Sequence, residues 1–499
     1  MKNKTVEILR TLSNEEIAEF GKFVNSPYFN ENSKVVRLFE ALSKFHPDYE
    51  STLLSDDTVY KKVNPDLAFN KLTLKKMFSG LNNVLEKYLV QKNFEHKPFE
   101  YYDNMFDAML TRNLQKLSGK CIENCEEILH NDSALNSDYF LYGFKHFTNV
   151  ANYLISSKPR NSPMEVERVV EALSDRGYNI TGFFIKEISR CFDNILTFDK
   201  NFDINKEKYF VWKLFGTVDF PKLFEFMRDN AKSEIETAVC NVYCAWYLAF
   251  SEFKIESHYD KYKSLIFKSR KYFSRDEMRF HILRLMRYCL MKIAESKKSG
   301  KFESELFDIY IIFTEKGFYK NSVSDYLSVE AFRPIVQLGL KLKKYKWTLE
   351  FINKFKNKLP PDRRKNMFHY ASAMYFFHIG KHAESMKHSQ KVEFDHFLFR
   401  LDLRDLMLMT YYEMRAFEAA ISHIDTYKHF LSNDKALSLV EKKRHKNFID
   451  IVRKLIEYMN KGSVDTEMKI ELLRRGETSN KEWVEEKVYE VFKSRARSA

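Results

Sequence analysis

The chain has 499 residues, of which 44% are apolar and 15% aromatic, and a formal net charge of +13. It contains 13 glycines and 10 prolines, far below average usage of about 7% and about 5%. So few breakers leave little room for Gly-rich phosphate loops or many tight hairpins, and they favour long helices joined by polar turns.

Length alone suggests about three domains, but stacked helical repeats form one continuous body and escape that rule. The longest apolar runs, such as "YIIF", fall well short of the roughly 20 residues of a membrane span. The opening MKNKTVEILRTLSNEE carries no apolar core followed by a small-residue cleavage site. A soluble, cytoplasmic protein without a membrane partner is expected. Six cysteines in so long a chain do not suggest a disulfide framework. Charge is unevenly spread. Residues 1–253 hold 32 Lys+Arg against 36 Asp+Glu, and the remainder holds 50 against 33. Residues 254–301 carry 14 basic and 5 acidic side chains, and residues 341–365 carry 10 and 2. That asymmetry permits an anionic partner for the C-terminal half, though a lysine-rich solvated surface is the plainer reading of it.

In chain order, "TLSNEEIAEFGKF" opens a helix with a capping box between Ser13 and Glu16, and Ile17, Phe20 and Val24 fall on one face. Pro27 breaks it, and Asn30 or Asn32 caps the next helix, which runs to about Lys44. "SDDTVYKKV" predicts a short capped helix ended by Asn64-Pro65. A long helix follows from about Asn70 to Asn93, striped by Leu74, Met77, Phe78, Leu81, Leu85, Tyr88 and Leu89. Residues 1–97 therefore read as a small helical N-terminal domain or cap. From about residue 100 the pattern is helix, polar turn, helix, with no convincing strand series. Residues 98–328 are expected to form an irregular array of helical hairpins, 329–433 three repeated units, and 434–499 C-terminal capping helices.

The repeat emerges when the C-terminal third is aligned on itself. Phe417, Ala420, Ile421, Ile424, Tyr427 and Leu431 are spaced 0, 3, 4, 7, 10, 14, one face of a helix. Tyr345, Thr348, Leu349, Ile352, Phe355 and Leu359 show the same spacing, and His382, Ser385, Met386, Ser389, Val392 and His396 form a more polar copy. The starts lie 37 and 35 residues apart, a period that means stacked helix pairs. The small residue in each copy (Thr348, Ser385, Ala420) marks a close crossing of the two helices.

These residues resemble the tetratricopeptide repeat, a unit of 34 residues. "YYEMRAFEAAISHI" looks like that family's end of the first helix, turn and start of the second, with Tyr411, Phe417 and Ala420 in the large aromatic, turn aromatic and small crossing positions. Gly380 matches the turn, and Pro360 the closing proline. Arg415 stands where a glycine is common, and the family's Leu-Gly pair is replaced by Met407-Leu408 and by Ser372-Ala373. The resemblance covers about Val329–Asn433 and implies an all-α, tetratricopeptide-like α-solenoid of antiparallel helix pairs. The whole chain also resembles a group of all-helical proteins from bacteria of the Bacteroidota group, through "LSNEEIAEFGKFVNSPYFN" and "KEWVEEKVYEVF". That likeness implies a fold and no activity.

No glycine phosphate loop, HExxH helix or GxSxG elbow is present, which argues against the familiar enzyme classes; no catalytic residue, metal or cofactor is expected. Cys121/Cys125 and Cys240/Cys244 are both CxxxC pairs. Four thiolates suit zinc, but pairs inside helices read better as small buried hydrophobes. His369, His378, His382, His388 and His396 are dense and read as packing or surface histidines. Lys261–Lys292 interleaves cations and aromatics, as nucleic-acid binders do. Ile266, Phe273, Phe280, Leu283 and Leu290 read as its core face, leaving Lys268, Arg270, Lys271, Arg279, Arg284 and Arg287 as candidate anion contacts.

The resemblance further implies which residues face a partner: Glu330, Arg333, Gln337 and Leu340, then Met367, Tyr370, Met374 and Phe377, then Asp402, Asp405, Met409 and Tyr412. The lysine and asparagine of the family's carboxylate clamp are missing there. What stands out is an apolar patch of Tyr370, Met374, Phe377, Met409 and Tyr412 beside Asp402 and Asp405. Adaptable methionines and aromatics suit a peptide or helix laid in a groove. The alternative is that another helix of the same chain, from residues 436–459, covers the patch. The expected function is a non-catalytic protein-interaction scaffold or adaptor, with a nucleic-acid-associated protein using residues 254–301 and 341–365 as the alternative.

Overall fold

The structure, a computed structural model, describes residues 3–50, 54–131, 138–157, 162–202, 204–295, 300–320, 324–393, 397–434, 437–461 and 478–496. Those residues form 23 α-helices and three short 3-10 turns, with no strand among them. The fold is all-α. The chain divides into two compact units, Met1–Cys244 and Ala245–Ala499, the boundary falling inside the helix Glu234–Ser251. It therefore passes through the segment 98–328 that the sequence groups as one array.

In the first unit, five helices open the chain: Lys4–Leu9, Asn14–Val24, Ser33–Ser43, Asp56–Val63 and Lys71–Glu95. Each of the last four starts where a side-chain oxygen relieves an orphan amide. Ser13 and Glu16 form the reciprocal capping box, at 3.1 and 2.7 Å. Asn32 accepts from the Lys34 amide, Ser55 from Thr58 and Asn70 from Thr73. Phe20 is fully buried with its ring centroid 4.9 Å from Phe39 and 5.3 Å from Tyr88. Leu74, Met77, Phe78, Leu81, Leu85 and Tyr88 share this core, and Leu89 packs against it half-buried. Farther along, Tyr139 and Tyr178 both donate to buried Glu236 at 2.9 Å, tying three helices together.

In the second unit, the helices Val329–Lys341, Tyr345–Phe355, Arg364–His378, His382–Ser389, Phe397–Glu413 and Phe417–Asn433 come in pairs, followed by Leu439–Lys461 and Lys481–Ala496. Each first helix packs on its own second helix and on the next first helix, and each second helix packs on the next first helix. The three joints within pairs share one hydrogen-bond pattern. The amides of Lys344, Lys381 and Ala416 donate to the carbonyls of Gly339, Phe376 and Tyr411 at 2.8, 2.9 and 2.9 Å. The residue before each is left-handed: Lys343 at φ 56°, Gly380 at 76° and Arg415 at 57°. Arg415 thus adopts the left-handed conformation that Gly380 takes in the second joint, at the roughly 1–2 kcal/mol a side chain costs there.

The close crossings are present. A Cβ on Gly339 would lie 2.5 Å from Thr348 Oγ1, so the glycine admits the threonine. Ser385 Oγ donates to the Ala373 carbonyl at 2.9 Å, and Ala420 is fully buried. Ala420→Leu is expected to lower stability by about 1–3 kcal/mol through overpacking; an unchanged thermal midpoint would remove the close crossing. Two apolar expectations need correction. Leu349 is 39% exposed, and Leu290 is 46% exposed. The buried face of the helix Arg275–Glu295 runs instead through Met278, Ile282, Leu285, Tyr288 and Cys289, while Ile266 and Phe273 are buried as expected and Phe280 and Leu283 are half-buried. His396 lies outside the described residues.

Candidate partner-binding face

Of the residues that the resemblance assigns to a partner-facing surface, four from three helices are brought together. Arg333 and Gln337 stand one turn apart on the helix Val329–Lys341, Tyr370 on Arg364–His378, and Asp402 on Phe397–Glu413. Arg333 clasps Asp402 with two bonds, Nε to Oδ2 at 2.5 Å and Nη2 to Oδ1 at 2.7 Å, the bidentate geometry in which a guanidinium is strongest. Tyr370 Oη donates to Asp402 Oδ2 at 2.7 Å, and Gln337 Nε2 reaches Tyr370 Oη at 3.2 Å and Asp402 Oδ2 at 3.3 Å. Burial disfavours the Arg333 cation, but the bond to Asp402 outweighs it and raises the pKa. Burial, then the Asp402 charge, pushes the Tyr370 phenol well above its ordinary value, so it stays a donor.

One turn along, buried Asp405 anchors a second cluster. It accepts from Tyr427 Oη at 2.8 Å and from Asn480 Nδ2 at 2.8 Å, and His445 Nδ1 lies 3.0 Å away. At the end of the same helix the Lys481–Ala496 helix arrives. The Trp483 indole meets Tyr412 edge-on, with centroids 5.4 Å apart, and lies 6.1 Å from Phe448. Its Nε1–H donates to Glu413 Oε1 at 2.8 Å, and Lys487 Nζ pairs with the same oxygen at 3.0 Å. Glu482 pairs with Lys341 at 3.1 Å. Burial first, then Glu413, raises the Tyr412 phenol to about 12.

Of the expected patch, Tyr370, Phe377, Met409 and Tyr412 are buried and Met374 is half-buried. The chain's own helices supply the cover. Leu439–Lys461 packs on both helices of the last pair, but Lys481–Ala496 is the helix that meets Tyr412. Trp483 and Lys487 were not singled out from the sequence. The readable signal was an indole followed by a lysine four residues later, beside the apolar positions Val484, Val488 and Val491.

The six candidate anion contacts fall into two sets. Lys268, Arg270 and Lys271 are exposed around the 3-10 turn Arg270–Tyr272. Arg279, Arg284 and Arg287 are half-buried and turned to the chain itself. Arg279 Nε donates to the Phe318 carbonyl at 2.8 Å, Arg284 lies 3.6 Å above the Phe280 ring, and Arg287 lies 6.0 Å from the Phe250 ring. Cys121, Cys125 and Cys240 are buried, and burial pushes the Cys125 and Cys240 thiols up to about 12, where thiolate chemistry is suppressed. His369 and His388 hydrogen-bond each other at 3.0 Å, and His382 is half-buried beside Phe377. Among the described residues no group of three or more His, Cys, Asp or Glu is placed to hold a metal ion, and no helix is long and apolar enough to cross a membrane.

Comparison with family models, with curated proteins and with solved structures finds no match.

Proposed function

We propose that residues 329–433 form a tetratricopeptide-like solenoid segment, and that the chain is a non-catalytic, cytoplasmic protein-interaction scaffold or adaptor. Its partner is a peptide or helix laid across the face of the first helices. Three identical joints at offsets of 37 and 35 residues support the solenoid reading. The observation that carries the function is that Lys481–Ala496 is itself a helix seated on that face, Trp483 against Tyr412. The usable probe is Met374, half-buried on the same face; Met409 is buried, and a carboxylate there would unfold the site. Helical peptides selected for binding to the full chain are expected to compete for one site and to lose affinity at least tenfold for Met374→Glu. Peptides indifferent to that substitution count against the reading.

One observation favours a second reading. Residues 245–499 hold 50 basic against 34 acidic side chains, net +16, whereas residues 1–244 hold 32 against 35, net −3. A nucleic-acid partner of the second unit would be released steeply as salt rises, because phosphate contacts free counterions. Filter binding to RNA and DNA from 50 to 200 mM salt is the check, and a flat or absent signal at low salt dismisses it.

A further inference from the structure

We infer that the Lys481–Ala496 helix is a built-in competitor, and that the partner is an amphipathic helix carrying an indole and, four residues on, a cation. The inference rests on the interaction reading above and adds the ligand's chemistry. Trp483 and Lys487, four residues apart, lie on one face of the Lys481–Ala496 helix, and Asn480 precedes it in a left-handed turn at φ 49°. Each meets an acceptor on the array. Asn480 donates to Asp405 at 2.8 Å, Trp483 to Glu413 at 2.8 Å, and Lys487 pairs with Glu413 at 3.0 Å. The indole also fills the space between Tyr412 and Phe448. Within a unit of net charge +16, this spot offers carboxylates. It therefore selects an indole N–H and a cation at this register rather than a helix of one net charge, since Lys481–Ala496 itself carries four basic and four acidic side chains and Lys487 also meets Glu490 at 3.0 Å.

The site's own segment meets these demands, so the face is occupied unless a competitor arrives. Because that segment is covalently attached, a free helix of equal quality must overcome an intramolecular rival. Trp483 is a hot-spot residue type, an aromatic set against an aromatic with its polar edge satisfied. Lys341–Glu482 at 3.1 Å adds only a partly exposed pair at the helix start.

The test uses the full chain and a fluorescein-labelled peptide of residues 478–496, read by anisotropy. The double variant Trp483→Ala/Lys487→Ala is expected to bind the peptide at least tenfold more tightly than the unaltered chain. Adding Glu413→Lys to it is expected to weaken binding at least tenfold. Equal affinity for the unaltered and double-variant chains overturns the competitor. Capture that ignores Glu413→Lys overturns the ligand assignment and leaves the interaction reading standing, which Met374→Glu tests separately. A dimer whose formation depends on Trp483, seen by sedimentation, would make the occupant a second copy and overturn the partner assignment. Should the double variant not fold, amide exchange of the unaltered chain decides. Residues 481–496 are expected to exchange at least tenfold faster than residues 405–413, and equal protection overturns displaceability.

Discussion

Asp402→Ala is expected to destabilise the second unit by about 2–4 kcal/mol, the cost of leaving a largely buried cation and a buried phenol without their acceptor. Asp402 takes both arms of Arg333 and the hydroxyl of fully buried Tyr370, and these residues come from three different helices. Removing the carboxylate strands Arg333 and Tyr370 at once, so the loss exceeds that of an exposed ion pair. Asp402→Asn keeps the shape and one carbonyl acceptor, and is expected to cost less. Double substitution with Arg333→Met and Tyr370→Phe is expected to recover much of the loss, because an apolar replacement leaves no orphan. Amide exchange in residues 329–341, 364–378 and 397–413 measures this directly, and a loss of about 2.8 kcal/mol is about a hundredfold faster opening. Unchanged exchange in all three helices would show that the network does not hold them.

Phe20→Ala carries the largest expected cost in the first unit, about 3–5 kcal/mol. The ring is fully buried between Phe39 and Tyr88, at 4.9 and 5.3 Å, so its removal loses both the transfer term and the aromatic contacts. The neighbours are fixed from outside the cavity and collapse little: Tyr88 Oη donates to Glu19 at 3.1 Å, and Lys92 pairs with Glu19 at 2.5 Å. Phe20→Leu, which keeps most of the volume, is expected to cost less than half as much. Thermal melts and exchange protection of residues 71–95 report the difference. Equal losses for alanine and leucine would mean that ring contacts and cavity size do not set the cost.

What was legible in the sequence was local. The caps at Ser13, Asn32, Ser55 and Asn70 each act within three residues, so their partners are fixed by spacing alone. The 0, 3, 4, 7, 10, 14 pattern placed Ile352, Phe355, Ile424 and Tyr427 correctly in the core, because helical period and burial coincide there. Leu349 and Leu290 escaped the rule, since an apolar side chain on the edge of a stripe is free to face water. Arg415 looked like a departure from the turn pattern, yet the joint forms with it at φ 57°; flanking hydrogen bonds outweigh a modest conformational cost.

The site was legible only in part. The tetratricopeptide resemblance implied that Arg333, Tyr370 and Asp402 share one face, but not that an ion pair joins residues 69 positions apart. The arrival of Trp483 at Tyr412 depends on how far the chain travels after Lys461, which no periodicity records. The basic stretch misled for a related reason. Arg284 sits on Phe280 and Arg279 on a backbone carbonyl, and a guanidinium engaged internally looks the same in sequence as one awaiting phosphate.

The most direct test of the helix-docking face is amide exchange of the Trp483→Ala/Lys487→Ala chain with and without a saturating peptide of residues 478–496. Added peptide is predicted to slow exchange at least tenfold in residues 405–413, beside Asp405, Tyr412 and Glu413. Unchanged exchange there, or protection confined to other helices, would contradict the account.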